Sequence, residues 1–248
     1  MKLSAGEKQL VAELTLHYEQ NMPKLQTFLE GIQSVLLNSK ELALKVHSFK
    51  WRLKEPSHLR GKLERKILDA KVRKKQFNIT KENLFIKIND LVGVRILHLY
   101  SEQIESIDGL LAELFGEAQY NIIEGPFART WDDEMKRFYD QIGIKTRASG
   151  PSMYTSVHYV IDSNSKTRFT AEIQVRTLAE ELWGEVAHVI DYPIPCGSLA
   201  CREQLTVLAK VASSCTRLVD SIFRSNQEFN TKKAKLKNVN TGLFPKGR

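Results

Sequence analysis

Cysteine is scarce in this sequence: three residues in 248, Cys196, Cys201 and Cys215, all in the last quarter of the chain. An odd number placed so late excludes a disulfide framework. The C-x4-C pair Cys196 and Cys201 has no second pair or nearby His to complete a zinc site. The three read as reduced thiols, the usage of a cytoplasmic protein. Seven prolines and thirteen glycines are too few for a collagen-like or low-complexity chain. Long apolar runs are missing too, so no membrane span is expected. The N-terminus turns polar at Glu7, Lys8 and Gln9 without the apolar stretch of a secretory signal. What is present, 42% hydrophobic and 27% charged residues, is the composition of a soluble globular chain long enough for a sizeable core.

Acid is the remaining shortage. Lys and Arg number 37 against 29 Asp and Glu, a net charge of +8 with a sequence pI near 9.3. The excess is local. Residues 50–75 hold eleven Lys/Arg against Glu55, Glu64 and Asp69, and residues 231–248 hold six Lys/Arg and no acid. The rest of the chain is net negative, so a specific anionic ligand explains the pattern better than a uniformly cationic surface.

Hydrophobic periodicity divides the chain into a helical segment over 1–45, an α+β region over 46–192, a C-terminal helix over 193–230 and a basic tail over 231–248 expected to be disordered. Within the first, residues 6–37 have helical spacing, with Pro23 placed to kink or divide the helix. Strands are expected at 46–53, 91–99, 120–124, 154–161 and 168–175. Helices are expected at 56–76, 101–115, 132–141, 177–191 and 199–228. Gly125-Pro126 reads as a turn opening a mostly polar stretch to 153.

Period-2 geometry sorts the strand residues onto two faces. Phe49, Trp51 and Leu53 oppose Ser48, Lys50 and Arg52. Thr155, Val157, Tyr159 and Ile161 oppose Tyr154, Ser156, His158 and Val160. Phe169, Ala171, Ile173 and Val175 oppose Arg168, Thr170, Glu172 and Gln174. A sheet packed by helices on one side would bury each greasy face and leave cations, carboxylates, His and Tyr on the other. Phosphoryl or nucleotidyl transfer needs those types: cations around a polyphosphate, carboxylates for Mg²⁺, and a group to orient or deprotonate a hydroxyl. Asp90 at a strand start and Glu172 in mid-strand are the acids so placed. The plainer readings are that Asp90 caps a turn and that Glu172 pairs with Arg168 or Arg176. Glu181, Glu185 and His188 share one helical face and read as a structural network rather than a metal site; Arg176 and Trp183 read as structural.

Several separated segments carry a family likeness in order: Arg52-Leu-Lys54-Glu-Pro-Ser57-His-Leu-Arg-Gly-Lys62-Leu, Asp90-Leu-Val-Gly93-Val-Arg95-Ile, Tyr154-Thr-Ser156-Val-His158 and Glu172-Ile-Gln174-Val-Arg176-Thr, followed by Trp183 and His188. Together they resemble the synthetase domain of RelA/SpoT proteins, the alarmone (p)ppGpp synthetases, in a stand-alone form. The resemblance implies a nucleotidyltransferase-like mixed β-sheet with helices on one face, flanked by N- and C-terminal helices. It implies transfer of pyrophosphate from ATP to the 3′-hydroxyl of GTP or GDP, with Mg²⁺ as cofactor and AMP released. By motif position, Arg52 and Arg95 would stack on adenine, a contact that suits a planar guanidinium. Lys54, Ser57 and Lys62 would hold the ATP phosphates. Asp90 would bind Mg²⁺, and Glu172 would share the metal or take the 3′-hydroxyl proton. Tyr154 would stack on the acceptor base, His158 would contact its phosphates or ribose, and Gln174 would support the site.

Two departures concern the acceptor. The family commonly has Gly before the tyrosine and Lys a few residues earlier, where Met153 and Gly150 stand here; Lys145 and Arg147 are the nearest replacement cations. Glu181 occupies a position that often carries Asn or Asp for guanine. The resemblance also leaves open a toxic relative that makes adenosine alarmones or pyrophosphorylates the tRNA 3′ end, a catalytically silent nucleotide- or RNA-binding regulator, and a homo-oligomer built through the terminal helices.

Overall fold

The computed structural model describes residues 2–148, 153–191 and 196–241. Helix α1, Ala5–Asn38, starts at a capping box in which the Glu7 amide donates to Ser4 Oγ and the Ser4 amide to Glu7 Oε2. It runs through Pro23 undivided. A single turn, α2 (Lys40–Ala43), leads to β1 (Ser48–Leu53), α3 (Pro56–Val72) and the short α4 (Leu84–Lys87). Then come β2 (Val92–His98), α5 (Gln103–Glu117), β3 (Asn121–Thr130), α6 (Asp133–Gln141) and β4 (Lys145–Ala148). Strands β5 (Ser156–Asp162) and β6 (Thr170–Thr177) precede α7 (Leu178–Asp191) and α8 (Leu199–Thr241).

The six strands form one mixed sheet in the order β1-β2-β6-β5-β3-β4, with β2–β6 and β3–β4 parallel and the other pairs antiparallel. The alternation expected from sequence sets its faces. Val94, Ile96, Val157, Tyr159, Ala171 and Ile173 join the core with Leu14, Tyr18, Leu25 and Ile32 of α1, Leu59 and Leu63 of α3, and Leu111 and Phe115 of α5. Side chains opposite one another in register share the other face. One row there runs Lys50, Arg95, Gln174, His158, Phe127, Lys145; the next runs Arg52, Gly93, Glu172, Val160. This face is narrowed rather than left open. Glu181 of α7 pairs with Arg95 and with the buried Arg176, and Trp183 of α7 donates to the Leu205 carbonyl of α8.

Three local expectations are corrected. Strand β3 is not a five-residue piece ending at Gly125-Pro126: it continues to Thr130, and the pair forms an irregularity inside it, where the register to β5 shifts. Gly125 is required there by φ +96° and by backbone crowding, since a Cβ would lie 2.3 Å from the His158 carbonyl oxygen. Lys145–Ala148 is a strand, an exposed edge with no hydrophobic alternation to announce it. Helix α8 extends to Thr241, so 231–241 is helical rather than disordered, carried on from a helix anchored upstream. That anchoring comes from the Ser101 amide bond to Asp220 Oδ1 and the Tyr100–Phe223 ring stack. Gly150, Pro151 and 242–248 lie outside the described residues.

Gly184 gives α7 its close approach to the sheet: a Cβ there would sit 2.5 Å from Arg176 Nη1. Gly→Ala in a helix ordinarily gains up to about 1 kcal/mol. Here displacement of a buried, paired guanidinium outweighs that gain, and Gly184→Ala is expected to destabilise by about 1–3 kcal/mol in urea melts. A stability gain would show that Arg176 is free to move.

Two buried groups make stability depend on pH with opposite signs. Burial lowers His98 to about 4 against the hydrogen bond between Nδ1 and the Tyr100 carbonyl. Below its ordinary 6.5 the unfolded chain takes a proton that the fold refuses, so its contribution is lost as pH falls from 6.5 to 4. Burial raises Glu180 to about 7 against its capping bonds with Thr177. The fold therefore takes a proton before the unfolded carboxyl, ordinarily at 4.5, and stability rises as pH falls from 7 to 4.5. Relative to wild type, His98→Gln should gain stability on acidification over these windows and Glu180→Gln should lose it, each by on the order of 3 kcal/mol at most. Urea melts at a series of pH values test the signs; parallel profiles for all three proteins would contradict them.

Candidate functional site

A cleft of about 870 Å³ opens on the polar face, lined among others by Lys62, Asp90, Arg95, Tyr154, His158, Glu172 and Gln174. A smaller recess of about 220 Å³ adjoins it, sharing Arg95, Glu172, Gln174 and His188 and adding Lys50, Trp51, Arg52 and Gly93. The sheet thus brings nine of the thirteen expected site residues to or beside one place, and three elements converge at its floor. Lys54 follows β1, Lys62 lies in α3 and Asp90 precedes β2.

Lys54 Nζ lies 2.9 Å from Asp90 Oδ2 and Lys62 Nζ 2.7 Å from Oδ1. Burial would raise the Asp90 carboxyl, but Lys62 and then Lys54 outweigh it and hold it at about 2. Lys54 is itself buried and is positioned from behind, where the buried Tyr18 hydroxyl of α1 donates to its carbonyl. Asp90 is therefore an ionised, internally paired carboxylate, not a turn cap. Its buried Oδ1 is held by the ion pair to Lys62 alone among the described residues, and Lys62 is partly exposed.

Glu172 accepts from His158 Nδ1 at 3.2 Å and from Gln174 Nε2 at 2.9 Å. Burial raises its carboxyl, and these two partners pull it below the ordinary value, so Glu172 stands ionised in the middle of the sheet. Its partners are His158 and Gln174 rather than Arg168 or Arg176; Arg168 pairs with Asp162. His158 uses Nδ1 for Glu172, and its buried Nε2 has no partner among the described residues while the side chain lines the cleft. Tyr154 donates to Gln174 Oε1 at 3.1 Å, and its ring lies 5.7 Å from the His158 ring. Hydroxyl, amide, carboxylate and imidazole form one chain of hydrogen bonds, so each fixes the next.

Arg52 and Arg95 both line the smaller recess. A Cβ on Gly93 would meet the Arg52 side chain at 3.3 Å, so the missing side chain lets the guanidinium lie along the strand. Arg95 is braced by Glu181 and Glu185 of α7.

Four expected residues fall elsewhere. Ser57 is exposed in the first turn of α3 and lines neither cavity. Glu181 is consumed by Lys50, Arg95 and Arg176 and lines neither cavity; three cations around one buried carboxylate make it the brace of α7, as the network reading of Glu181 and Glu185 had it. Lys145 and Arg147 lie on the edge strand β4, away from both cavities. Arg147 is neutralised by Glu124 at 2.5 Å and lies 3.7 Å over the Phe127 ring. The sequence reading missed Lys66, Lys87, Asn89, Arg129 and Arg202 in the cleft wall. Lys66 was findable, one helical turn beyond Lys62; Arg129 lay in a stretch read as irregular.

Mg²⁺ takes only one or two protein carboxylates and completes its shell with phosphates and water. The ionised carboxylates of Asp90, whose Oδ1 is held by the Lys62 ion pair, and of Glu172 line the same cleft and suit that demand, and no cluster of three or more protein ligands is found among the described residues.

The region found in RelA/SpoT proteins matches residues 51–195 of this chain. Among solved structures, a GTP pyrophosphokinase family protein from Streptococcus pneumoniae aligns with a TM-score of 0.55 at 19% identity, covering 83% of this chain and 95% of that one. The small alarmone synthetase 1 from Bacillus subtilis aligns with a TM-score of 0.52 at 18% identity, over 88% of this chain and 97% of that one. The same Bacillus protein bound to its product pppGpp gives 0.54 at 18%, over 84% and 93%. These likenesses show the fold. No curated protein sequence matches the chain. The matched family region covers more than half of the chain and contains both carboxylates and the cations around them: the protein belongs to the RelA/SpoT family.

Proposed function

We propose that this chain is a pyrophosphokinase that transfers the β,γ-diphosphate of ATP to the 3′-hydroxyl of GTP or GDP, yielding a (p)ppGpp alarmone and AMP. The observation that carries it is the position of two ionised carboxylates, Asp90 and Glu172, between a lysine-rich wall from β1 and α3 and an aromatic–imidazole wall from β5. Such a site can hold a polyphosphate on one side and a base with a ribose hydroxyl on the other. The Bacillus small alarmone synthetase 1, which shares this fold, is described bound to AMPCPP and bound to pppGpp.

In this reading Arg52 and Arg95 sandwich the adenine in the smaller recess, and Lys54 and Lys62 hold the phosphates. Mg²⁺ held by Asp90 would neutralise and orient the transferring phosphates. The 3′-oxygen attacks the β-phosphorus, the bond from that phosphorus to the α,β-bridging oxygen breaks, and AMP departs with the bridging oxygen. The hydroxyl proton passes to the Glu172 carboxylate, held in place by His158 and Gln174. Tyr154 stacks on the acceptor base. With a loose transition state, the protein's contribution is positioning and charge neutralisation. A second reading, transfer to an adenine nucleotide or to the tRNA 3′ end, draws on the exposed Lys232, Lys233 and Lys235 of α8.

Purified protein incubated with γ-labelled ATP, Mg²⁺ and, in separate reactions, GDP, GTP, ATP or deacylated tRNA decides between them. Label on guanine nucleotide with matching AMP release is expected; label only on tRNA or on an adenine nucleotide replaces the leading reading. Binding of ATP with no transfer to any acceptor would leave a regulator.

Asp90→Asn and Glu172→Gln should each lower transfer by about 100-fold or more while far-UV circular dichroism stays native. Turnover within about threefold of wild type for either would remove that residue from the catalytic assignment.

A further inference from the structure

Two fully buried tyrosines use their hydroxyls differently. Tyr159 of β5 donates to Asp108 of α5, a bond that ties the sheet to a helix. Tyr18 of α1 donates instead to the backbone carbonyl of Lys54, the residue whose ammonium pairs with Asp90. Tyr18 lies outside residues 51–195, the region matched to the RelA/SpoT family, so the family likeness gives it no role. Its ring belongs to the core with Leu59 and Leu63 of α3, and its hydroxyl reaches past them to the floor of the cleft.

Lys54 is fixed through its backbone. It follows the last residue of β1, and its amide donates at 2.9 Å to the carbonyl of Leu91, the residue after Asp90. Its carbonyl accepts from Tyr18. The peptide groups on both sides of its Cα are thus tied, one to the segment that bears Asp90 and the other to α1. The buried side chain then reaches Asp90 Oδ2 from a fixed base. The phenol keeps its proton for this bond: burial, then the charges of Glu55 and Asp90, push it up to about 12. The same helix grips the approach to Asp90. The His17 ring lies 5.3 Å from the ring of Phe85 in α4, five residues before Asp90. The Phe85 carbonyl in turn accepts from Thr170 at the start of β6. Adjacent residues of α1 therefore support both partners of the Lys54–Asp90 pair.

We infer that Tyr18 is a positioning residue: its hydroxyl fixes the Lys54 ammonium against Asp90, so the N-terminal helix sets the affinity of the cleft for a metal-bound triphosphate. The inference rests on the proposed pyrophosphokinase reading and gives its donor side a control outside the matched family region. An effect relayed through one hydrogen bond is bounded by the worth of that bond, which limits it to about tenfold.

The test is a double-mutant cycle on the binding of AMPCPP with Mg²⁺ to the full chain, in wild type, Tyr18→Phe, Lys54→Met and the double variant. Tyr18→Phe keeps the buried ring and removes only the hydroxyl, and it should weaken binding about three- to tenfold. In the Lys54→Met background the same change should cost nothing further, because its route to the ligand is gone. Should Lys54→Met fail to fold, Lys54→Gln takes its place. Tyr159→Phe, which loses a buried hydroxyl bond without touching Lys54, should bind as wild type does. A readout without nucleotide is the ¹⁵N–¹H signal of the Lys54 ammonium, assigned by its loss in the Lys54 variant. Tyr18→Phe should shift or broaden it, and Tyr159→Phe should leave it in place. Wild-type affinity in Tyr18→Phe, the same loss in both Lys54 backgrounds, an equal loss in Tyr159→Phe, or an unmoved Lys54 signal overturns the inference. Transfer assays separate the two levels. An unchanged ATP KM in an active Tyr18→Phe enzyme sinks the inference alone. A Tyr18-dependent affinity for AMPCPP in a protein that transfers nothing sinks the pyrophosphokinase reading alone, and wild type that binds no AMPCPP sinks both.

Discussion

The period-2 alternation of the strands is the constraint on which the rest depends. Val94, Ile96, Val157, Tyr159, Ala171 and Ile173 must face α1 and α5 to be buried. Once they do, Lys50, Arg52, Arg95, Glu172, Gln174 and His158 have no choice of side. A one-residue slip of β6 against β2 and β5 would put Glu172 into the core and Ile173 into the cleft. The hydrophobic term therefore holds the chemistry in register, and the site needs no separate device to bring three strands' polar groups together.

Within the cleft, the protein satisfies its charges mostly by itself. Asp90 sits between Lys54 and Lys62, Glu172 leans on His158 and Gln174, and Glu181 gathers Lys50, Arg95 and Arg176. These arrangements differ in permanence. The Arg176–Glu181 pair is buried and clamped by Gly184, so breaking it would leave a charge stranded in the interior. The Lys62–Asp90 pair is partly open to the cleft, so in the proposed reading a polyphosphate would offer Lys62 a competing anion. A buried pair sets the frame of α7, and a half-exposed pair lies open to the cleft.

What could be read in the sequence follows the range of the interactions. Strand faces and the helices α1, α3, α5 and α7 come from spacings within one segment, and those readings hold in the structure. Strand β3 was cut short because Gly125-Pro126 usually marks a turn; only its crowding against His158, more than thirty residues away, makes it an irregularity inside a strand. Strand β4 is an exposed edge whose residues face no core, so it carries no pattern. Glu181 looked available because its three cations come from β1, β2 and β6, and nothing in its own helix reveals them. Ion pairs across the fold are what a linear reading cannot see, and here they hold Glu181 behind the cleft wall rather than in it.

The basic block at 50–75 shows the same logic at finer grain. Eleven cations cluster there, yet helical geometry sends only an i, i+4 pair of α3, Lys62 and Lys66, to the cleft wall. Strand alternation sends Lys50 and Arg52 to the smaller recess, and Lys54 turns inward behind Asp90. Lys71, two turns and a half beyond Lys62, reaches instead to Glu7 in the first turn of α1 and fastens the two helices. The local charge excess is thus several populations with separate duties. The cations that can meet a polyphosphate are the few that β1 and α3 turn toward the carboxylates, and their number is set by the periods 2 and 3.6 rather than by the size of the cluster.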